Sequence, residues 1–102
     1  MKLKFIAILL FVCSIVVAQN KGKISGVITD KDSNNASLPF ANATIKGTTI
    51  ATTSDEKGKY TLSVTPGNYI IVFSFLGYEN IEVPVTIKSG EEIIINKALG
   101  SG

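Results

Sequence analysis

The sequence predicts an all-β fold, a small seven-stranded antiparallel β-sandwich preceded by a signal peptide. Three observations predict it. Beyond the first eighteen residues, apolar side chains recur at every second position, the repeat of a half-buried strand. Turn signals separate these runs at short intervals: Asp55-Glu56-Lys57-Gly58, Pro66-Gly67 and Gly77-Tyr78. No stretch after the leader carries the apolar stripe of an amphipathic helix.

The leader comes first. Lys2 and Lys4 form a positive n-region, and Phe5 to Val17 is an apolar run of signal-peptide length. Val16-Val17-Ala18 supplies modest side chains at the cleavage positions, which makes Gln19 the expected mature N-terminus. The run is shorter than the roughly 18–20 residues of a spanning helix, so a cleaved leader is expected over a membrane anchor. Cys13 follows Phe11-Val12, where a lipidation signal wants a small residue, and is expected to leave with the leader. The expected division is signal peptide 1–18, linker 19–22, sandwich 23–99 and tail 100–102.

The first strand is Lys23 to Asp30, with Ile24, Gly26 and Ile28 on one face. A polar loop to Ser37 leads through Leu38-Pro39 into Ala41 to Lys46, where Ala41, Ala43 and Ile45 alternate with polar residues. Gly47-Thr48 ends that strand, and Ile50 to Thr53 is a brief third. Lys59 to Val64 places Tyr60, Leu62 and Val64 on one side. Tyr69 to Phe75 is apolar on both faces and reads as a central strand covered on both. Ile81 to Ile87 contains Pro84, which cannot donate to a ladder and belongs at a sheet edge or a bulge. Ser89-Gly90 turns into a single last strand, Glu92 to Leu99. Small alanines at 41 and 43 leave room between the sheets for a ring such as Phe73.

Charge and absences narrow the chemistry. The net +2 belongs to Lys2 and Lys4, so the expected mature chain is neutral, and the sequence holds neither Arg nor His. Nothing there draws in nucleic acid, and none is expected as a partner. Without His there is no usual base for a nucleophile and no imidazole for zinc. With Cys13 removed there is no thiol or disulfide, so the core alone must hold the fold. Asp55-Glu56 and Glu91-Glu92 are sequence neighbours in turns, which suits solvated loops better than paired acid–base work. Asp30-Lys31-Asp32-Ser33-Asn34 opens like a calcium loop, but Asn35 and Ala41 stand where Gly and Glu are needed. No catalytic residue, cofactor or metal site is expected.

Taken together, certain segments resemble a known family, the carboxypeptidase regulatory-like domain. They are Ser25 to Asp30, Leu38 to Thr48, Thr53-Ser54-Asp55 with Gly58-Lys59-Tyr60, Pro66 to Tyr69, and Ser74 to Tyr78. The resemblance covers roughly Lys23 to Leu99 and implies a transthyretin-like (prealbumin-like, immunoglobulin-like) sandwich. Its shared positions here are Gly26, Asp30, Pro39, Gly47, Asp55, Gly58, Tyr60, Pro66, Gly67, Tyr69, Gly77 and Tyr78, carried over as structural residues. Tyr60 and Tyr69 fall on the apolar phase of their strands, where a packed ring with a bonded hydroxyl is expected. Tyr78 is the candidate ligand-facing residue.

Similar domains stand at the N-terminus of Bacteroidetes TonB-dependent outer-membrane receptors, ahead of a plug and a β-barrel. The resemblance therefore implies an exported, non-catalytic accessory domain in the periplasm or at the outer membrane. Its partner would be a plug, a barrel or a periplasmic component of an uptake system. The chain reaches only Gly102, so it reads either as the leading piece of a receptor or as a free-standing exported sandwich. The alternative function is a stand-alone secreted or surface carbohydrate-binding or adhesion module, which requires an exposed aromatic platform.

Overall fold

The computed structural model describes residues 20–101. The expected signal peptide, 1–18, lies outside the described residues. Nine strands run in order: β1 (Gly22–Asp30), β2 (Ala36–Ser37), β3 (Asn42–Ile45), β4 (Ala51–Thr53), β5 (Lys59–Val64), β6 (Gly67–Ser74), β7 (Ile81–Ile87), β8 (Glu92–Ile94) and β9 (Lys97–Leu99). They form two sheets, and the fold is all-β.

The first sheet is organised on β1. Along one edge β1 pairs antiparallel with β5, from Gly22↔Val64 to Val27↔Lys59, and then with β2. Along its other edge it pairs with β8 and β9, and both run parallel to it. The second sheet has the order β4-β3-β6-β7 and is antiparallel throughout. Pro84 lies in β7, an edge strand, where a missing N–H leaves no ladder bond unmade.

The inward faces meet in one core. Ile24, Ile28, Tyr60, Leu62, Val64 and Leu99 come from the first sheet, and Ala43, Ile45, Ile71, Phe73 and Ile87 from the second. Ala43 pairs with Phe73 across the β3–β6 ladder, and both are fully buried. The space beside the alanine lets Phe73 meet Tyr60 of the facing sheet edge-on, with ring centroids 5.5 Å apart. Two of the four links between the sheets, those on either side of β5, carry their own turn chemistry. Asp55 accepts from the N–H groups of Lys57 (2.8 Å) and Lys59 (2.9 Å), which turns β4 into β5. Gly58 there has φ 78°, and a Cβ would stand 2.4 Å from the Ile28 carbonyl oxygen. Thr65-Pro66 is the two-residue link from β5 to β6, and the Tyr69 hydroxyl donates to the Thr65 carbonyl (2.6 Å).

Three expectations are corrected. The sandwich is not wholly antiparallel, because β7 ends where β1 begins. The chain crosses there, with Lys23 N–H donating to the Glu91 carbonyl (2.8 Å), so the next strand can only run alongside β1. The last strand is two segments rather than one, and β2 adds another short one, so seven strands become nine. Finally, β6 is central but covered on one face only: Ile70 is 38% exposed and Leu76, just beyond the strand, is 95% exposed. Two layers bury the inner face of each strand, and among the described residues no third layer covers the outer one.

The interruption of the last strand has a local cause. The offset of β8 and β9 from β1 is the same on both sides of it, with Ser25↔Ile94 and Ile28↔Lys97. A regular parallel ladder would give the Ile95 carbonyl to the Val27 N–H. Instead that carbonyl accepts the Tyr60 hydroxyl (2.6 Å), and Val27 N–H donates to Asn96 Oδ1 (2.9 Å). Tyr60 sits opposite Gly26 in the β1–β5 ladder, so its ring crosses β1 where no side chain obstructs it. A Cβ on Gly26 would lie 1.9 Å from the Ile95 carbonyl oxygen.

Gly26→Ala is therefore expected to destabilise the domain by about 2–4 kcal/mol, since the methyl must displace backbone rather than a flexible side chain. Tyr60→Phe strands the Ile95 carbonyl and is expected to cost about 1–3 kcal/mol. Urea unfolding of the two variants checks both, and a Gly26→Ala midpoint equal to that of the parent would contradict the close approach.

Candidate functional site

The tyrosines come first because the sequence singles them out. Tyr60 is buried, and burial pushes its hydroxyl up to about 12. Tyr69 is half-buried, with its hydroxyl on the Thr65 carbonyl and 3.1 Å from Thr65 Oγ1. Tyr78 packs at a tilt on Phe75, with centroids 5.3 Å apart, and donates to Asp30 Oδ2 (2.7 Å). That bond to a carboxylate raises the Tyr78 hydroxyl above its ordinary value. Each of the three hydroxyls is committed to the domain's own polar atoms.

Asp30 and Asp32 then organise one end of the molecule. Lys31–Ser33 is a 3₁₀ turn capped by Asp30, whose Oδ1 accepts the Asp32 N–H (3.0 Å), and Asn34 closes it in the left-handed region. The calcium-like run is thus spent on a turn. Asp32 Oδ2 accepts both the N–H (3.0 Å) and the hydroxyl (2.7 Å) of Ser101, which holds its carboxyl below the usual range. Glu79 N–H donates to the Gly100 carbonyl (2.9 Å). A Cβ on Gly100 would meet Lys31 Cε at 2.6 Å and Asp32 Oδ1 at 2.9 Å. The chain therefore leaves the sandwich along a fixed path.

Two large apolar side chains stand out at this same end. Phe40 precedes β3 and Leu76 comes after β6, each two residues beyond the pair Asn42↔Ser74 that starts their ladder. Phe40 is 71% exposed. Its φ is 61°, in the left-handed region where a bulky residue is strained. Half-buried Pro39 and Phe75 flank the pair. Gly77, with φ 84°, turns the chain directly after Leu76, and Gly47 (φ 79°) does the same beyond β3 at the opposite end. The sequence did not single out Phe40, and Leu76, read with Ile70 and Val72 as one covered face of the central strand, is exposed instead, because the alternation that separates inside from outside stops at the strand ends.

A second feature is a shallow groove of about 630 Å³ on the outer face of the second sheet, lined by Lys46, Asn68, Ile70, Pro84 and Thr86 among others. Its polar groups are already paired. Lys46 bridges to Glu82 (3.1 Å), and Thr86 Oγ1 donates to Asn68 Oδ1 (2.8 Å). Among the described residues no three His, Cys, Asp or Glu side chains gather as a metal-binding group, and no helix is long and apolar enough to cross a membrane.

These features define a two-sheet β-sandwich domain whose described buried polar side chains are internally satisfied and whose two most exposed large apolar side chains, Leu76 and Phe40, stand at the exit end, with Ile94, Ile50 and Ile70 exposed elsewhere. The chain belongs to the CarboxypepD_reg-like domain family, whose model matches residues 24–101. It is homologous to N-terminal regions of Bacteroidetes TonB-dependent receptors. It is 32% identical to TonB-dependent receptor P39 of Formosa agariphila over 97% of this chain and 9% of that protein. It is 40% identical to TonB-dependent receptor SusC of Bacteroides thetaiotaomicron over 61% of this chain and 6% of that protein. The chain thus spans less than a tenth of the length of these relatives. In fold it is similar to the Bacillus anthracis TIE protein, with a TM-score of 0.67 at 25% identity over 80% of this chain and 17% of that one.

Two outcomes are expected. Tyr60 carries a raised pKa in the folded state, so stability is complete below the ordinary tyrosine value of 10.0 and is lost as pH rises toward about 12. Thermal unfolding of the parent should weaken over that interval, and Tyr60→Phe should remove the largest part of the dependence, leaving that of Tyr78. Phe40→Asn relieves a strained, exposed ring and should shift stability by less than about 1 kcal/mol, whereas Phe73→Ala should cost about 3–5 kcal/mol. A large loss at Phe40 would assign that ring to the core instead.

Proposed function

We propose that this chain is an exported, non-catalytic interaction domain at the N-terminus of a TonB-dependent outer-membrane nutrient receptor, ahead of the plug and barrel. One observation carries the reading: nearly the whole chain matches a receptor of which it makes up only 9%. The leader read from Lys2 to Ala18 supports export to the periplasm. Among the described residues the buried polar side chains are all hydrogen-bonded, and the open cleft lined by Asp55, Glu56, Lys57 and Lys59 is a turn whose Asp55 Oδ1 already accepts two backbone N–H groups, which supports a binding role over a catalytic one.

The glycan-binding alternative draws less support. A sugar platform needs exposed ring faces, and Tyr60, Tyr69, Phe73, Phe75 and Tyr78 are buried or half-buried. Phe40 alone among the described aromatic residues is exposed, and it sits at a turn rather than on a flat sheet face.

The reading frame past Gly102 and the phenotype of a deletion test the proposal together. A frame continuing into a plug and barrel is expected, and removing residues 23–99 from that receptor should reduce uptake of its nutrient. Uptake unchanged across all substrates that the receptor transports would contradict the role.

A further inference from the structure

We propose that Phe40 and Leu76 form a docking pair for the receptor segment immediately downstream of this domain in the same polypeptide. The inference rests on the receptor reading and names the surface and the occupant. Three observations point to it. Leu76 is 95% exposed and Phe40 71% exposed at the end of the sandwich where β9 delivers the chain. Phe40 is held in a left-handed conformation with little burial to compensate, which is the signature of a residue retained for something other than the fold. The exit is clamped beside them: Leu76 lies in the turn closed by Tyr78 N–H on the Phe75 carbonyl (2.9 Å). The next residue, Glu79, bonds Gly100, while Ser101 is bound to Asp32.

The size of the patch decides the occupant. A free protein partner needs a buried interface of roughly 1,000 Å² or more, which two side chains with half-buried neighbours do not supply. A segment emerging from Ser101 is already tethered at the rim of the patch. Its effective concentration is of millimolar order, and a contact too weak to hold a separate molecule suffices. A second copy of the chain faces the same size limit as any other free partner.

The geometry also dictates how the domain would be carried. Asn20 enters at the opposite end, where its N–H donates to Ser89 Oγ (3.3 Å) beside the start of β1. The clamp fixes the direction of departure and the apolar pair fixes the segment that departs. The sandwich is thereby oriented relative to the downstream segment rather than swinging on a free linker.

Photo-crosslinking in the full-length receptor tests this. Benzoylphenylalanine is placed at position 76, at position 40, and at exposed Thr61 on β5 as a control. Mass spectrometry should find cross-links from 76 and 40 to peptides downstream of Gly102 in the same chain, and none of these from 61. The Phe40→Asn, Leu76→Ser double variant should be cleaved between the domain and the downstream segment at least about tenfold faster by a dilute protease. Cross-links only to a separate polypeptide, to a second copy, or to nothing would overturn the inference while leaving the receptor assignment standing. A reading frame that stops at Gly102 would overturn the receptor assignment, and the inference with it.

Discussion

The fold depends on a single exchange of hydrogen bonds across β1. Tyr60 takes the carbonyl that the ladder would have given to Val27, and Asn96 compensates with its side-chain amide oxygen. This exchange joins β5 and β1 to the Ile95-Asn96 break between β8 and β9 at one point. It works only because Gly26 leaves the passage open. The ring that reaches through is also the ring that meets Phe73 edge-on from the facing sheet. A backbone vacancy, an aromatic core contact and the parallel closing strand are thus coupled, and none is adjustable alone. A domain of this size without disulfides is held by its core, and this shared contact lies within it.

The two ends of the sandwich differ in character. At the entry end the links are short and polar: Asn20 and Ser89 exchange hydrogen bonds, and Gly22 sits where a Cβ would stand 2.1 Å from Ile87 Cγ2. At the exit end two carboxylates are used wholly inside the domain, one for Tyr78 and one for Ser101. The two most exposed large apolar side chains, Leu76 and Phe40, stand at that end as well. Among the described residues every buried polar side chain is hydrogen-bonded, and the charged side chains that line an open cleft, Asp55, Glu56, Lys57 and Lys59, belong to a turn in which Asp55 Oδ1 is spent on two backbone N–H groups. Such a surface suits an accessory domain, which positions other parts of a longer protein.

Much of this was legible in the sequence. Period-two alternation located the long strands, since Lys59–Val64 alternates without a break and Tyr60, Leu62 and Val64 are buried. Pro84 marked a sheet edge or a bulge because it cannot donate to a ladder, and it lies in the edge strand β7. Ala41 and Ala43 marked the space that Phe73 fills. The closing strand was not legible in the same way. Its direction is set by where β7 deposits the chain, which is a tertiary fact, and its break at Ile95-Asn96 is set by a hydroxyl 35 positions away in sequence. Apolar residues on both faces of β6 suggested double cover, but periodicity reports polarity and not how many layers a fold supplies. Phe40 was not marked and Leu76 was read as part of a covered face for a related reason: the strand repeat says nothing about side chains in turns.

A self-sufficient core thus carries one specialised end. Amide hydrogen exchange on the full-length receptor and on the 102-residue chain, compared residue by residue, tests this division most directly. Equal protection of Val27, Ile71 and Phe73 is expected in the two samples, with slower exchange at Leu76 and Gly77 only in the receptor. Equal exchange at the turn, or a core protected only when the receptor is intact, would contradict it.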